Sequence, residues 1–329
     1  MRLARRRFLH LAAGAASLPA LPRIARAQGY PSRPITIVVP FAAGGSTDVA
    51  ARILSERMRS SLGQPAIIEN VAGGNGGIGV GRVARATPDG YTIVIGIWNT
   101  HVANGALYTL PYDVLNDFEP ISLIATQPYL IEAKKTMPAN DLHGLIAWLK
   151  ANPNKASLGH AGIGGGSHVA GVLFQTQTGA RFQSVPYRGG SAALQDLLGG
   201  QIDIMIDPPA NSQQQVRLGN IKAYAVTAKT RLASAPDIPT VDEAGLPGFY
   251  MSLWQAFFAP KGTPKDVIVK LNAATVEALA DSTVRSRLAD LGQEIYSRDQ
   301  QTPEALRAFQ KAEIDKWWPI IKAANIKGE

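Results

Sequence analysis

Two glycine turns in the first third of the chain are its first candidates for chemistry. Phe41-Ala42-Ala43-Gly44-Gly45-Ser46-Thr47-Asp48 and segment 73–79 each follow an apolar, β-branched run and each open a helical pattern. Glycine frees the backbone for turns that a side chain would block, and Ser46 or Thr47 can cap the helix that follows. The first helical N–H groups then face whatever lies over the turn. Together with the positive end of the helix dipole they form a site for an anion, a carboxylate above all. Asp48, in the first helical turn, is a favourable charge at that same end. The device recurs at residues 162–167 and at Arg188-Gly189-Gly190-Ser191.

Other chemistries fit less well. Gly74-Asn75-Gly76-Gly77-Ile78-Gly79 matches G-x-G-x-x-G, but the acid that should hold a ribose after the next strand is missing, since Asp89 precedes that strand. No G-x-S-x-G elbow surrounds Ser46, Ser167 or Ser191, and H-E-x-x-H is absent. His101, His143, His160 and His168 are scattered without metal-ligand spacing. At strand ends, Arg188 can give a carboxylate a charge-assisted hydrogen bond or sit solvated, and Asp207 can receive an ammonium or hydroxyl or cap the Pro208-Pro209 turn. Trp98 can stack on a flat ligand or fill the cleft wall, with core packing the simpler role.

The elements that must position these residues alternate. Strands at 35–39, 66–70 and 91–97 frame helices at 49–62 and 78–86, a mostly parallel α/β pattern whose ligand edge lies at the strand C-termini. A loop holding Trp98-Asn99-Thr100-His101 leads to strands at 121–125 and 129–133. The pattern then restarts: helix 141–151, strand 156–159, a helix from Ser167, strand 182–187, helix 191–198, and strands 202–206 and 221–227. After a strand at 254–259, helices at 264–280, 282–291 and 303–324 close the chain, with Thr263-Pro264-Lys265-Asp266 as a start signal. These helices have no sheet of their own and must pack on the first. The expected division is therefore lobe one at 28–126 and 254–329 and lobe two at 127–253, with two crossings acting as a hinge.

The formal charge of +8 across 329 residues does not imply a polyanion partner. Six of the 33 basic residues lie in the first 27, where there is no acid, so the remainder sets 27 bases against 25 acids. That leader has a positive start, an apolar stretch and Ala25-Arg26-Ala27, the parts of an export signal. Arg5-Arg6-Arg7-Phe8-Leu9 suits the twin-arginine route or an ordinary positive n-region. With no cysteine, disulfides and thiolate metal sites are excluded.

Taken in order, the 40–48 turn, Glu69-Asn70 with its glycine loop, Pro88-Asp89-Gly90-Tyr91, Val185-Pro186-Tyr187-Arg188-Gly189, Leu197-Leu198-Gly199-Gly200-Gln201-Ile202-Asp203 and Ala259-Pro260-Lys261-Gly262-Thr263-Pro264 resemble the Bug-type, TctC-like solute receptors of tripartite tricarboxylate transporters. The resemblance runs from about Tyr30 to the end. It implies a two-lobed periplasmic-binding fold of type 2, with two mixed or mostly parallel sheets flanked by helices and a two-strand hinge. A ligand carboxylate would be gripped through main-chain N–H groups and bridging water by Phe41, Ala43, Gly44, Gly45, Thr47 and Asp48 of the first loop and Gly73, Gly74, Gly76 and Gly77 of the second. Gly165, Ser167, Tyr187, Arg188, Ser191 and Asp207 would select the rest from the other lobe, with Trp98, Asn99 and Thr100 at the third strand's end. The sequence departs from the family pattern at Ala72, commonly proline, at Asn75, commonly glycine, and at Arg188, usually lysine.

The expectation is an exported, periplasmic, monomeric receptor that clamps a small organic carboxylate and presents it to membrane permease subunits. No cofactor, metal, nucleic acid or catalytic residue belongs to it. The alternatives are an exported α/β enzyme acting on a carboxylate, with His101 or His168 as base, and a sensor that feeds a membrane kinase.

Overall fold

In the computed structural model, which describes residues 29–326, the first strand forms where the β-branched run 35–39 predicts it. The expected export signal lies outside the described residues. From β1 (Ile35–Val39) the chain turns into α1 (Ser46–Leu62), returns in β2 (Ala66–Asn70), and passes a 3-10 turn (Gly74–Gly76) into α2 (Gly77–Ala84) and β3 (Thr92–Ile97). A π-type turn (Asn99–Ala103) and the short α3 (Asn104–Leu107) lead to β4 (Phe118–Pro128) and, one residue later, β5 (Leu130–Lys134). There follow α4 (Leu142–Ala151), β6 (Ser157–His160), α5 (Gly166–Thr178), β7 (Gln183–Pro186), α6 (Gly190–Leu198), β8 (Ile204–Asp207), α7 (Pro209–Arg217) and β9 (Ile221–Val226). The chain ends through β10 (Ser252–Pro260), α8 (Lys265–Ala280), α9 (Ser282–Asp290), β11 (Glu294–Ile295) and α10 (Pro303–Ala323).

Two mixed sheets result. The six-stranded one has the order β11-β4-β10-β3-β1-β2 and the five-stranded one β7-β6-β8-β5-β9. β1 pairs parallel with β2 and β3, whereas β10 lies antiparallel between β3 and β4. In the second sheet β6 is parallel to β7 and β8, and β5 is antiparallel to β8 and β9. Each parallel unit is a strand, a glycine turn and a helix, so the helix starts gather at the strand C-termini, where open α/β sheets take their ligands.

The closing helices pack on the first sheet, as their lack of strands requires. Leu271, Ala274 and Leu279 of α8 are buried with Ile53, Leu54 and Met58 of α1, and Trp317 and Ile321 of α10 with Trp98 and Val102. Burying side chains of this size contributes roughly 1.5–3 kcal/mol each. Several local features differ from the sequence reading. Neither Ser46 nor Thr47 caps α1, whose N-cap is Gly45, and the expected loop at 98–101 is helical. Pro208-Pro209 starts a helix instead of only turning, because proline fits the first helical position, where the N–H is dispensable. Thr263 does not cap α8: its hydroxyl donates to Pro260 O at 2.8 Å, and extended Pro264 precedes the helix. β11, two residues long, adds an edge that the pattern did not reveal. No helix among the described residues is long and apolar enough to cross a membrane.

Candidate functional site

A cleft of about 340 Å³ lies between the sheets, and four helix starts line it. They are α1 through Gly45, Ser46 and Thr47, α5 through Gly165, Gly166 and Ser167, α6 through Gly189, and α7 through Pro208 and Asn211. None of the four carries a side-chain cap. Away from the cleft, α4, α9 and α10 are capped by Asp141, Asp281 and Thr302, whereas α8, preceded by Pro264, is not. Uncapped N–H groups and the positive ends of four dipoles therefore face one space, the electrostatics an anion requires.

Glycine is what brings these starts together. Gly44, Gly164 and Gly189 hold φ of +86°, +75° and +118°, the left-handed region that side chains avoid. A Cβ on Gly166 would lie 2.0 Å from the Tyr129 hydroxyl, and one on Gly190 2.3 Å from Asp207 Oδ2. Only bare backbone lets α5 and α6 approach the second sheet so closely.

Side chains near the turns brace them. The Asp48 carboxylate accepts from Gly44 N, Arg52 Nε and Asn70 Nδ2, each at 2.9 Å. These bonds, led by that from Arg52, hold its carboxyl down at about 2. Asn75, in the left-handed region at φ +49°, donates to Asn104 Oδ1 at 3.1 Å and accepts on its carbonyl from Asn104 Nδ2 at 3.0 Å. In the opposite loop Ser167 Oγ accepts from Ala161 N at 2.9 Å, and His168 Nδ1 accepts from Gly164 N at 3.1 Å. The His160 ring stacks on His168 with centroids 4.4 Å apart and donates to Gly162 O at 2.9 Å. Burial, with the His168 ring alongside, depresses His160 to about 4.

Among the described residues lining the cleft, Asp207 is the one acidic or basic side chain. It is 2% exposed, and its Oδ2 accepts from Asn211 Nδ2 at 2.5 Å. Burial pushes its carboxyl up to about 7 against the pull of that bond. One strand away the fully buried Glu132 accepts a hydrogen bond from the Ser212 hydroxyl, while its Oε2 has no partner. Burial raises Glu132 well above the usual carboxylate range.

Of the residues singled out in the sequence, Phe41, Gly45, Thr47, Asn99, Gly165, Ser167 and Asp207 line the cleft. The others do not. Trp98 is wholly buried edge-to-face on Trp317, at 5.3 Å, which leaves no ring face for a ligand. Thr100 is buried with its hydroxyl bonded to the Ile97 main chain, and Asp48 is consumed in bracing its turn. Ala43 and Gly44 form the exposed back of the first turn, and Gly73, Gly74, Gly76 and Gly77 shape the second loop, which reaches the cleft through Asn75. Tyr187 turns to Asp196, donating to its Oδ2 at 2.7 Å, while Arg188 and Ser191 are exposed and are not among the lining residues; Gly189 is the part of that turn which lines the cleft. Neither His101, fully buried and stacked on Phe258, nor His168 lines it.

Several wall residues were not anticipated, among them Ser46, Asn75, Tyr129, Ile163, Asn211 and Leu253. The signal for Asn75 was present, since it stands where a glycine is usual. Among the described residues no group of His, Asp and Glu is placed to hold a metal ion.

Comparison with known proteins agrees with this architecture. Residues 50–326 match the model of the "Tripartite tricarboxylate transporter family receptor" family. A UPF0065 protein of Agrobacterium vitis is 40% identical over 308 residues, spanning 93% of this chain and 88% of its own. The periplasmic binding protein BugD superposes with a TM-score of 0.78 at 41% identity, covering 91% of this chain and 100% of BugD. MatC of Rhodopseudomonas palustris with bound malate gives 0.78 at 40% identity, over 89% of this chain and 100% of MatC. With the family match spanning most of its length, the chain belongs to the receptor family of the tripartite tricarboxylate transporters.

Proposed function

We propose that this protein is an exported periplasmic receptor that clamps a small carboxylate between its two sheets and delivers it to the membrane permease subunits of a tripartite tricarboxylate-type transporter, without chemical conversion. The observation that carries this reading is the meeting of four uncapped helix starts in one cleft where, among the described residues, Asp207 is the one acidic or basic lining side chain. Each helix start favours a nearby anion by about 0.3–1 kcal/mol, more where water is excluded. A cleft of about 340 Å³ lies at the small end of the range for ligand pockets and has room for a small organic acid. The malate bound to MatC supports a small carboxylate as the ligand, within the wider class of mono-, di- and tricarboxylates that the titration distinguishes.

In the proposed cycle the unit of residues 28–126 and 254–329 and the unit of residues 127–253 stand apart, take up the acid and close about the β4–β5 and β10 crossings. The permease reads the closed form. Calorimetric and thermal-shift titration of the chain from Gln28 tests the reading, with malate, longer and aromatic carboxylates, and the amide analogue of each. At about 100 times its dissociation constant a true ligand stabilises by roughly 2.7 kcal/mol. Shifts by acids and not by their amides support it; shifts by neutral sugars alone, or by no acid, overturn it.

A further inference from the structure

The strands that join the two sheets carry a second cavity on the face away from the cleft. In the β4–β10 pair Ser252 faces Pro128, Leu253 faces Gln127 and Trp254 faces Thr126. Side chains alternate across a strand, so these positions divide between its two faces. Leu253 and Tyr129 line the cleft, while Thr126, Pro128 and Ser252 line a cavity of about 560 Å³ behind it. One wall of that cavity comes from the second sheet's side, through Thr227, Thr230 and Tyr250, and the other from the C-terminal segment, through Tyr296, Phe309 and Lys316.

A polar tie crosses the space. Lys316 Nζ donates to Tyr250 O at 3.0 Å. One turn earlier, Glu313 Oε2 accepts from Trp254 Nε1 at 3.3 Å and Trp317 Nε1 at 3.2 Å, which anchors α10 to the crossing strand. Two spaces on opposite faces of one crossing cannot narrow together. A rotation that closes the cleft must widen the cavity behind it and stretch the Lys316–Tyr250 bond.

We propose that this rear cavity is the counterpart of the cleft: its packing and the Lys316 tie across it set the fraction of molecules whose cleft is closed, and hence the apparent affinity at a site they never touch. The inference rests on the reading of the two sheets as units that close about these strands. Bulk added behind the crossing, or loss of the tie, shifts the population toward the closed form and raises affinity by the same factor as the closed fraction.

The chain has no native cysteine, so spin labels at Ser60→Cys and Lys150→Cys, exposed positions on the two sides, report the separation directly. The distance is measured with and without malate in the labelled parent, in Thr230→Trp at the cavity's exposed rim, and in Lys316→Met. Both variants should show, without ligand, more of the closed separation than the parent, and should bind malate about threefold or more tighter. Folded variants whose distances match the parent, or shift toward opening, overturn the proposal. Should one variant melt early, the other decides. Calorimetry on the same samples separates the two readings: malate bound with no change in label separation overturns the closure and this proposal with it, whereas no malate bound removes malate as ligand and leaves the ligand-free shift of the variants to decide.

Discussion

The carboxylate of Asp48 accepts a hydrogen bond from the side-chain amide of Asn70 at 2.9 Å, and that same amide donates to Phe41 O at 3.1 Å. One buried acid on α1 and one amide at the end of β2 thus clip the first turn to the strand that leads into the second. Asp48→Ala should cost about 1–3 kcal/mol in denaturant unfolding, because part-buried hydrogen bonds to a charged carboxylate are lost together. It should also weaken carboxylate binding, although Asp48 does not line the cleft. With its carboxyl held at about 2, the stability it contributes is complete above the unfolded value near 3.8 and is lost as pH falls through about 2. An unchanged affinity in a folded variant would show that the clip does not shape the site.

Asp207 has the opposite sign. Its carboxyl is raised to about 7, so its contribution to stability is complete below the unfolded value of 3.8 and is lost as pH rises through about 7. The buried His101 and His160, depressed to about 3 and 4, act at lower pH. Between pH 6.5 and 8, where the histidines no longer offset it, the last part of that contribution should disappear, and Asp207→Asn should reduce the slope, leaving the part that belongs to Glu132, which burial raises in the same direction. Ionised Asp207 also repels an anion in the cleft. Affinity for malate should fall over the same interval in the parent and stay flat in the variant, as read by calorimetry at each pH.

Gly166→Ala places a methyl carbon 2.0 Å from the Tyr129 hydroxyl. Overpacking of this kind costs about 1–3 kcal/mol. The α5 start should retreat and carboxylate affinity should fall. Adding Tyr129→Phe, which deletes the clashing oxygen, should restore part of the stability in a double-mutant cycle. No recovery would place the strain elsewhere.

Asp281→Ala is the matching case far from the cleft. Its carboxylate caps α9 by accepting from Thr283 N at 2.9 Å and Val284 N at 3.2 Å. The variant should lose about 1 kcal/mol of stability and keep its ligand affinity. A parallel loss of affinity would show that the start of α9 is coupled to the cleft.

Most of the fold was legible because strand–glycine–helix units announce themselves in order, and the bounds read for β1 and β2 are those observed. The cleft was only half legible. Periodicity says that Trp98 is apolar at a strand end, not that Trp317, more than two hundred residues later, covers its ring. A glycine loop says that the chain turns, not which residue it offers; the second loop presents Asn75 and the 187–191 turn presents Gly189. Asn211 was hidden because α7 is polar, burying only Pro209 and Ser212, and so has no apolar stripe to betray it. Tyr129 lies at a crossing whose two faces are distinguished only once β4 and β10 are paired.

The missing caps have a consequence for how such a receptor changes. Donors that belong to the peptide backbone survive every substitution except proline, so in the proposed receptor mutation cannot readily erase the attraction for an acid. What mutation can reach are the side chains between the helix starts, such as Asn75, Asn99, Ile163 and Asn211. New ligands would then arise by remodelling the walls around an inherited anchor, and descendants of one ancestor could part company over which acid they take while agreeing that it is an acid.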